Sequence, residues 1–444
     1  MLNPIILSKK NVFRSLAVVF ICIYSNLSSG QVFSLEEIRK MESVGFKEAL
    51  NMHPDSVFSI SLSETDIIPA KVNQFKNLHS ILLFSCSNMD LDKELPKLAK
   101  NSKLIEIEIL SNDYKKFPKS ILEFSKLKSL TLSGLKFDLV PDQIKNLKDL
   151  EILTLGHPFS GGCGIKKLPS CLTELEKLHT LRLWGNMDLK IDENFGKLNS
   201  LKELELTYIN CDLNTIYSIS PNLEILDITG TELTNLDGIE KLKKIKSLAI
   251  SHQATLTDLG PAFKQLDNLE ELSLYFNKDI FNSSEFIKIS NLTHLKKLII
   301  TLNKDCKGPI PFPQTGFTNL KTLSIETLSS TKLGSVIKSI AHFDSLQHLT
   351  LDQFQDNELP KELFDLYKLK GLILNSIPLE SIPKDIKKLN LEYLRIWNIK
   401  LTDLPKEMAE IDELKYLYIG STSINAENSV IKKLIAKKVK VEGI

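Results

Sequence analysis

Two short stretches hold the residues best suited to binding chemistry, LRLW at 181 to 184 and LRIW at 394 to 397. Each sets an Arg two residues before a Trp. Together they contain both tryptophans of the chain and two of its four arginines, Arg182 and Arg395, the other 52 basic residues being Lys. An indole beside a guanidinium offers a flat apolar face and a fork of donors, the mix that dominates interface energetics. Tyr393, Tyr416 and Tyr418 surround Trp397 in sequence and in repeat position. Glu205 and Asp227 supply acids near Trp184, and Tyr275 adds an isolated aromatic.

Nucleophilic chemistry has one candidate set: Cys163 or Cys171 with His157 or His179 and an acid such as Glu151. A surface loop with incidental histidines accounts for the same residues. Cys163 and Cys171 are also candidates to pair as a disulfide, the alternative being two free thiols. The Gly-rich HPFSGGCGIKK (157 to 167) lacks both G-x-x-x-x-G-K-[ST] and G-x-G-x-x-G, and no G-x-S-x-G occurs. None of the eight histidines stands at zinc spacing from Cys, Asp or Glu, so no metal or cofactor is expected. Acidic pairs such as Glu106/Glu108 and Glu203/Glu205 read as exposed decoration.

The net charge of +1, from 56 basic and 55 acidic residues, gives no general attraction to nucleic acid or anionic membrane. Lys9, Lys10 and Arg14 precede the apolar run LAVVFICIY and the small, polar SNLSSG. That order is expected of a secretory signal peptide over 1 to 30, cleaved near Gly30 and Gln31. The alternative is an uncleaved anchor. No later window is long enough to span a bilayer. Removing the segment leaves five cysteines, an odd number that excludes a fully paired disulfide scaffold.

The elements that must position these residues come from a repeat. L-x-x-L-x-L recurs from Val57 to Leu414 in sixteen units spaced 21 to 28 residues apart. Several units continue as L-P-x-x-[IL], among them LPSCL (168 to 172), LPKEL (359 to 363), IPKDI (382 to 386) and LPKEM (404 to 408). Over nearly all its mature length the chain resembles the leucine-rich repeat family, in the subtype shared by bacterial secreted and plant resistance-type proteins.

The resemblance implies an α/β solenoid with a parallel sheet on the concave face and short helices or turns on the convex face. Alternation predicts the same: the fourth and sixth positions of each unit face a stacked core, the third, fifth and seventh face out. The family's turn Asn falls at Asn112, Asn186, Asn277 and Asn303. Elsewhere Thr231, Cys86, Ile209, Leu328 or Phe354 takes its place.

Residues 31 to 56, with the capping box Ser34 and Glu37, are expected to form an N-terminal helical cap, 57 to 421 the solenoid, and 422 to 444 a C-terminal cap. No separate catalytic domain is expected. The long units bring two excursions, HPFSGGCGIKK and NKDCKGPIPFPQTG (303 to 316), the latter bulging from the solenoid edge.

Both tryptophans fall at position seven, each with its Arg at position five. Nine units separate them, about 43 Å at about 4.8 Å per strand, so they cannot share one small ligand. The expected function is that of an exported, non-catalytic protein recognising a protein or peptide partner on the concave face. A glycan on the same aromatics is the alternative, and an enzyme using the Cys163, His157 and His179 region a remote one.

Overall fold

The computed structural model describes residues 35–39, 43–110, 114–157, 162–191, 196–209, 213–231, 233–251, 255–328 and 330–444. The expected signal peptide and Ser34 lie outside the described residues. Strands run from β1 (Val44–Gly45) to β18 (Lys440–Glu442), each pairing in parallel with the next in sequence to form one open sheet. Each of the sixteen units supplies one strand, from β2 (Ser59–Ser63) to β17 (Tyr416–Gly420), covering positions three to seven. Like positions align across strands, as in Leu181↔Leu204 and Leu394↔Leu417.

Positions four and six are buried throughout: Leu181, Leu183, Leu394 and Ile396 are at most 1% exposed. Each such side chain stabilises the stack by about 1.5–3 kcal/mol, and only a neighbouring unit can bury it. The arrangement is the leucine-rich repeat solenoid that the periodicity implies.

After each strand the chain must turn sharply. In ten units position eight does this with a left-handed residue of varied type: Gly134, Gly185 and Gly230, but also Glu64, Ser85, Tyr208, Gln353, Ser376, Asn398 and Ser421. Such non-Gly positions cost of order 1–3 kcal/mol each, and the stack holds them in place. Next comes the satisfaction of turn backbone. Asn186 Oδ1 accepts from the N–H groups of Cys163, Gly164 and Ile165, and its Nδ2 donates to Leu155 O and Trp184 O. Asn277 does the same between Leu256 O, Asp279 N and Ile280 N. Cysteines fill in elsewhere, Cys86, Cys163 and Cys306 donating their thiols to Leu62 O, Leu132 O and Phe276 O.

The disulfide expectation is corrected on these grounds. Cys163 and Cys171 are both free thiols. Cys163 points into the core, while Cys171 lies on a convex turn and donates to Asp142 O at 3.2 Å.

On the convex side, Pro69, Pro118, Pro141, Pro169, Pro360, Pro383 and Pro405 each precede a 3-10 turn with φ between −62° and −72°. The pyrrolidine ring fixes that angle. Units without the motif carry helices such as α5 (Ser283–Ser290) and α6 (Leu333–Ile340). The 303 to 316 segment does not simply bulge outward. Ile310 and Phe312 are buried, and Phe312 meets Phe286, Phe317 and Phe343 edge-on at 5.1, 5.7 and 5.3 Å.

At the start of the chain, β1 pairs with β2 and leads into α2 (Phe46–Ala49), whose Phe46 meets Phe75 edge-on. The preceding helix α1 (Leu35–Arg39) lies across the sheet. Leu35 packs with Ile105 and Ile152, and Arg39 donates to Glu106 at 2.9 Å and Ser129 at 3.0 Å. At the far end α7 (Ser429–Ala436) is capped by Asn428, which accepts from Val430 N and Ile431 N, and β18 extends the sheet beyond β17.

Candidate partner-binding site on the concave sheet

The two Arg-Trp pairs occupy β7 (Thr180–Trp184) and β16 (Tyr393–Trp397), with all four side chains partly exposed on the concave face. Parallel register then dictates what each meets. Arg182 stands beside Glu205, and Thr180 beside Glu203, on β8 (Glu203–Thr207). Arg182 Nε donates to Glu205 at 2.9 Å and its terminal nitrogen to Glu203, while Trp184 Nε1 donates to the other Glu205 oxygen at 3.0 Å. Thr180 adds a bond to Glu203 at 3.2 Å.

This network consumes its own donors. Burial pushes the Glu205 carboxyl above its usual range despite Arg182, with Glu203 adding to the rise. Asp227, beside Glu205 on the next strand, is also raised by burial and accepts from Thr229 at 2.6 Å.

Around Arg395 the same positions hold different residues. Its lateral neighbour on β17 is Tyr418, and Tyr393 faces Tyr416. The two tyrosines stack at 5.1 Å with rings 3° from parallel, and Lys440 sits 5.5 Å over Tyr416. Tyr416 donates to Glu442 at 2.6 Å; burial and that carboxylate push its pKa well up.

Arg395 lies 4.9 Å over the Tyr418 ring and 5.6 Å over Trp397, and the two rings are tilted against each other at 5.7 Å. No carboxylate among the described residues comes within ion-pair distance of its guanidinium. Asp352 responds to Arg395 electrostatically, but its Oδ2 is bonded to Asn375 at 2.7 Å, and burial raises its pKa. The other oxygen, Oδ1, is buried without a partner.

Trp397 is not open on both sides. A β-carbon on Gly420 would stand 2.5 Å from its Cε3 and 2.7 Å from Tyr418 Cε1, so the indole and phenol lie across a glycine that must remain bare. The glycine's backbone forms the shelf, which the sequence pattern alone did not reveal. Sequence reading also missed Lys440 and Glu442, although the repeat spacing carried forward from Tyr416 and Tyr418 lands on them. Tyr275, on β11 (Glu271–Phe276), joins neither group; its lateral neighbour is Thr301.

The nucleophile set does not assemble. His179 approaches Glu151 at 3.9 Å, but Cys163 is buried, donates to Leu132 O at 3.3 Å and is pushed up to about 12 by burial. A thiol so protonated is a structural donor. Cys171 lines a shallow depression on the convex side with Asp142, Lys145 and Glu174, whose acids together with burial raise its pKa. Among the described residues no group of three or more His, Cys, Asp or Glu is placed to hold a metal ion, and no helix is long and apolar enough to cross a membrane.

No protein-family model matches the chain. Adenylate cyclase of Schizosaccharomyces pombe is 23% identical over 370 residues, 73% of this chain and 21% of that protein. Human volume-regulated anion channel subunit LRRC8A is 26% identical over 310 residues, 64% of this chain and 34% of its own. The chain thus spans about a third or less of the length of these relatives. Among solved structures, TLR13 in its complex with ssRNA13 superposes with a TM-score of 0.57 at 19% identity, covering 87% of this chain and 55% of that one. At that identity the likeness concerns the fold, and it agrees with the sixteen units and the single open parallel sheet. The fold of the chain is the leucine-rich repeat solenoid.

Proposed function

We propose that the chain is an exported binding protein that recognises a protein or peptide partner on its concave sheet and catalyses nothing. Tyr393, Arg395, Trp397, Tyr416 and Tyr418 form the contact. What supports this reading is Arg395, a cation laid over two aromatic rings with no acid of its own, on a partly exposed face. Aromatic and Arg anchors of this kind carry most of the energy of natural interfaces. Arg182, Trp184, Glu205 and Asp227 belong to the same face, but Arg182 and Trp184 are already bonded to Glu205, and Asp227 to Thr229, which makes them a scaffold for it. In this reading residues 43 to 56 and 422 to 444 cover the ends of the array, while α1 of the expected N-terminal cap (31 to 56) lies on the sheet itself.

Replacing Trp397 and Tyr418 by Ala together is expected to weaken partner binding at least tenfold in calorimetry, with little change in melting temperature. Equal binding by the double variant removes the C-terminal patch from the interface. Retention of neutral oligosaccharides on an array, with no retention of peptides, would replace the protein partner by a glycan.

A further inference from the structure

The chain contains its own template for what Arg395 lacks. LRLW and LRIW place Arg at position five and Trp at position seven of strands whose registers are equivalent. At the first copy, the next strand supplies Glu203 and Glu205. These take Arg182 from two sides, and Glu205 also accepts the indole N–H. At the second copy those two positions are Tyr416 and Tyr418, which give stacking surface in place of acceptors.

Among the described residues neither of the other nearby acids pairs with Arg395. Glu442 is held by the Tyr416 hydroxyl and by Lys440 at 2.7 Å, and Asp352 by Asn375. Arg395 therefore keeps its planar fork of donors, which matches a carboxylate in two-point geometry.

We infer that the partner supplies the missing acid: an Asp or Glu side chain of an acidic peptide segment sits against Arg395 as Glu205 sits against Arg182, while flanking apolar residues lie on Trp397, Tyr418 and Tyr393. This rests on the reading of the patch as a partner site and names the chemistry it selects. Charge complementarity argues for an acidic segment. Tyr393, Arg395, Trp397, Tyr416 and Tyr418 are all partly exposed on the sheet, which leaves the rings reachable by an extended chain.

The test uses the full chain and a display library of random twelve-residue peptides. The selected peptides are expected to carry Asp or Glu. Changing that acid to its amide should weaken binding about tenfold on the wild type and leave it unchanged on the Arg395→Gln protein. The Tyr418→Glu variant, which rebuilds the internal acid of the first copy, should lose the acidic peptides while keeping its melting temperature.

Peptides that bind through Trp397 and Tyr418 equally well as acid or amide overturn the inference and leave the partner site standing. Selected peptides indifferent to both Arg395→Gln and Trp397→Ala overturn both. Preference for an oligogalacturonate over every peptide keeps the carboxylate but overturns the peptide as its source.

Discussion

With Glu203 and Glu205 on the next strand, Arg182 is held at 21% side-chain exposure by two carboxylates that are themselves 21% and 23% exposed. Removing it strands both carboxylates, Glu205 being one that burial already disfavours, and an uncompensated partly buried charge is costly. Arg182→Ala is expected to lower unfolding free energy by about 1–3 kcal/mol, whereas Arg395→Ala should lower it by only about 0.5–1 kcal/mol, since stacking alone is lost. Urea titration of the two variants checks the contrast, and equal losses would contradict the division between a scaffold and an open site. Both Arg-Trp pairs were legible in the sequence because tryptophan and arginine are rare in this chain. Their difference was legible too, but only by aligning position three and position five of the following unit, where Glu203 and Glu205 give way to Tyr416 and Tyr418. What no spacing could show was the close approach of two rings to Gly420, which depends on rotamers.

Each turn between strand and convex segment faces the same problem of orphan carbonyls and N–H groups. Asn186 and Asn277 solve it in the way the family resemblance implies. Cys86, Cys163 and Cys306 solve part of it with a thiol, which the sequence announced at Cys86 but disguised at Cys163, because the long unit shifts the cysteine out of step. Two cysteines eight residues apart at a Gly-rich loop suggest a bridge, yet in the structure one thiol is an internal donor and the other lies on a convex turn. The consequence is testable by alkylation of the native chain with mass mapping. Cys171 should label first, while Cys86, Cys163 and Cys306, all at most 2% exposed, stay protected until the chain unfolds. Rapid native labelling of Cys163 would contradict its place in the turn. The Phe312 segment was misjudged for a related reason: three prolines suggest an excursion, and only the neighbouring helices provide the ring partners that bury it.

Across the molecule carboxylates are shifted in both directions, according to whether burial or hydrogen bonding wins. On the concave sheet burial raises Glu108, with Glu106 adding and Arg39 opposing, and burial likewise raises Glu205, Asp227 and Asp352. On the convex side burial also pushes Glu94 up, but hydrogen bonds from Lys97 and the Ile68 N–H outweigh it and hold the group below its usual range. A raised acid destabilises at neutral pH, and the penalty fades as pH falls through its folded pKa. A lowered acid contributes stability above its unfolded pKa, which is lost as pH falls through its folded value. Glu108→Gln is therefore expected to raise the melting temperature at pH 7, the gain shrinking toward the ordinary glutamate pKa of about 4.3; a gain undiminished at pH 4 contradicts it. Period and spacing made the sixteen units legible at this scale. The position of α1 on the sheet was not, since Arg39 finds Glu106 and Ser129 at separations of 67 and 90 residues. The neighbour-only pairing of the strands also has a mechanical meaning. A chain pulled by its ends gives way one unit at a time from a terminus, each releasing about 8 nm of slack for some 24 residues. Because the aromatic and Arg395 patch is shared between two neighbouring units, opening either of them takes it apart while the other units can stay folded.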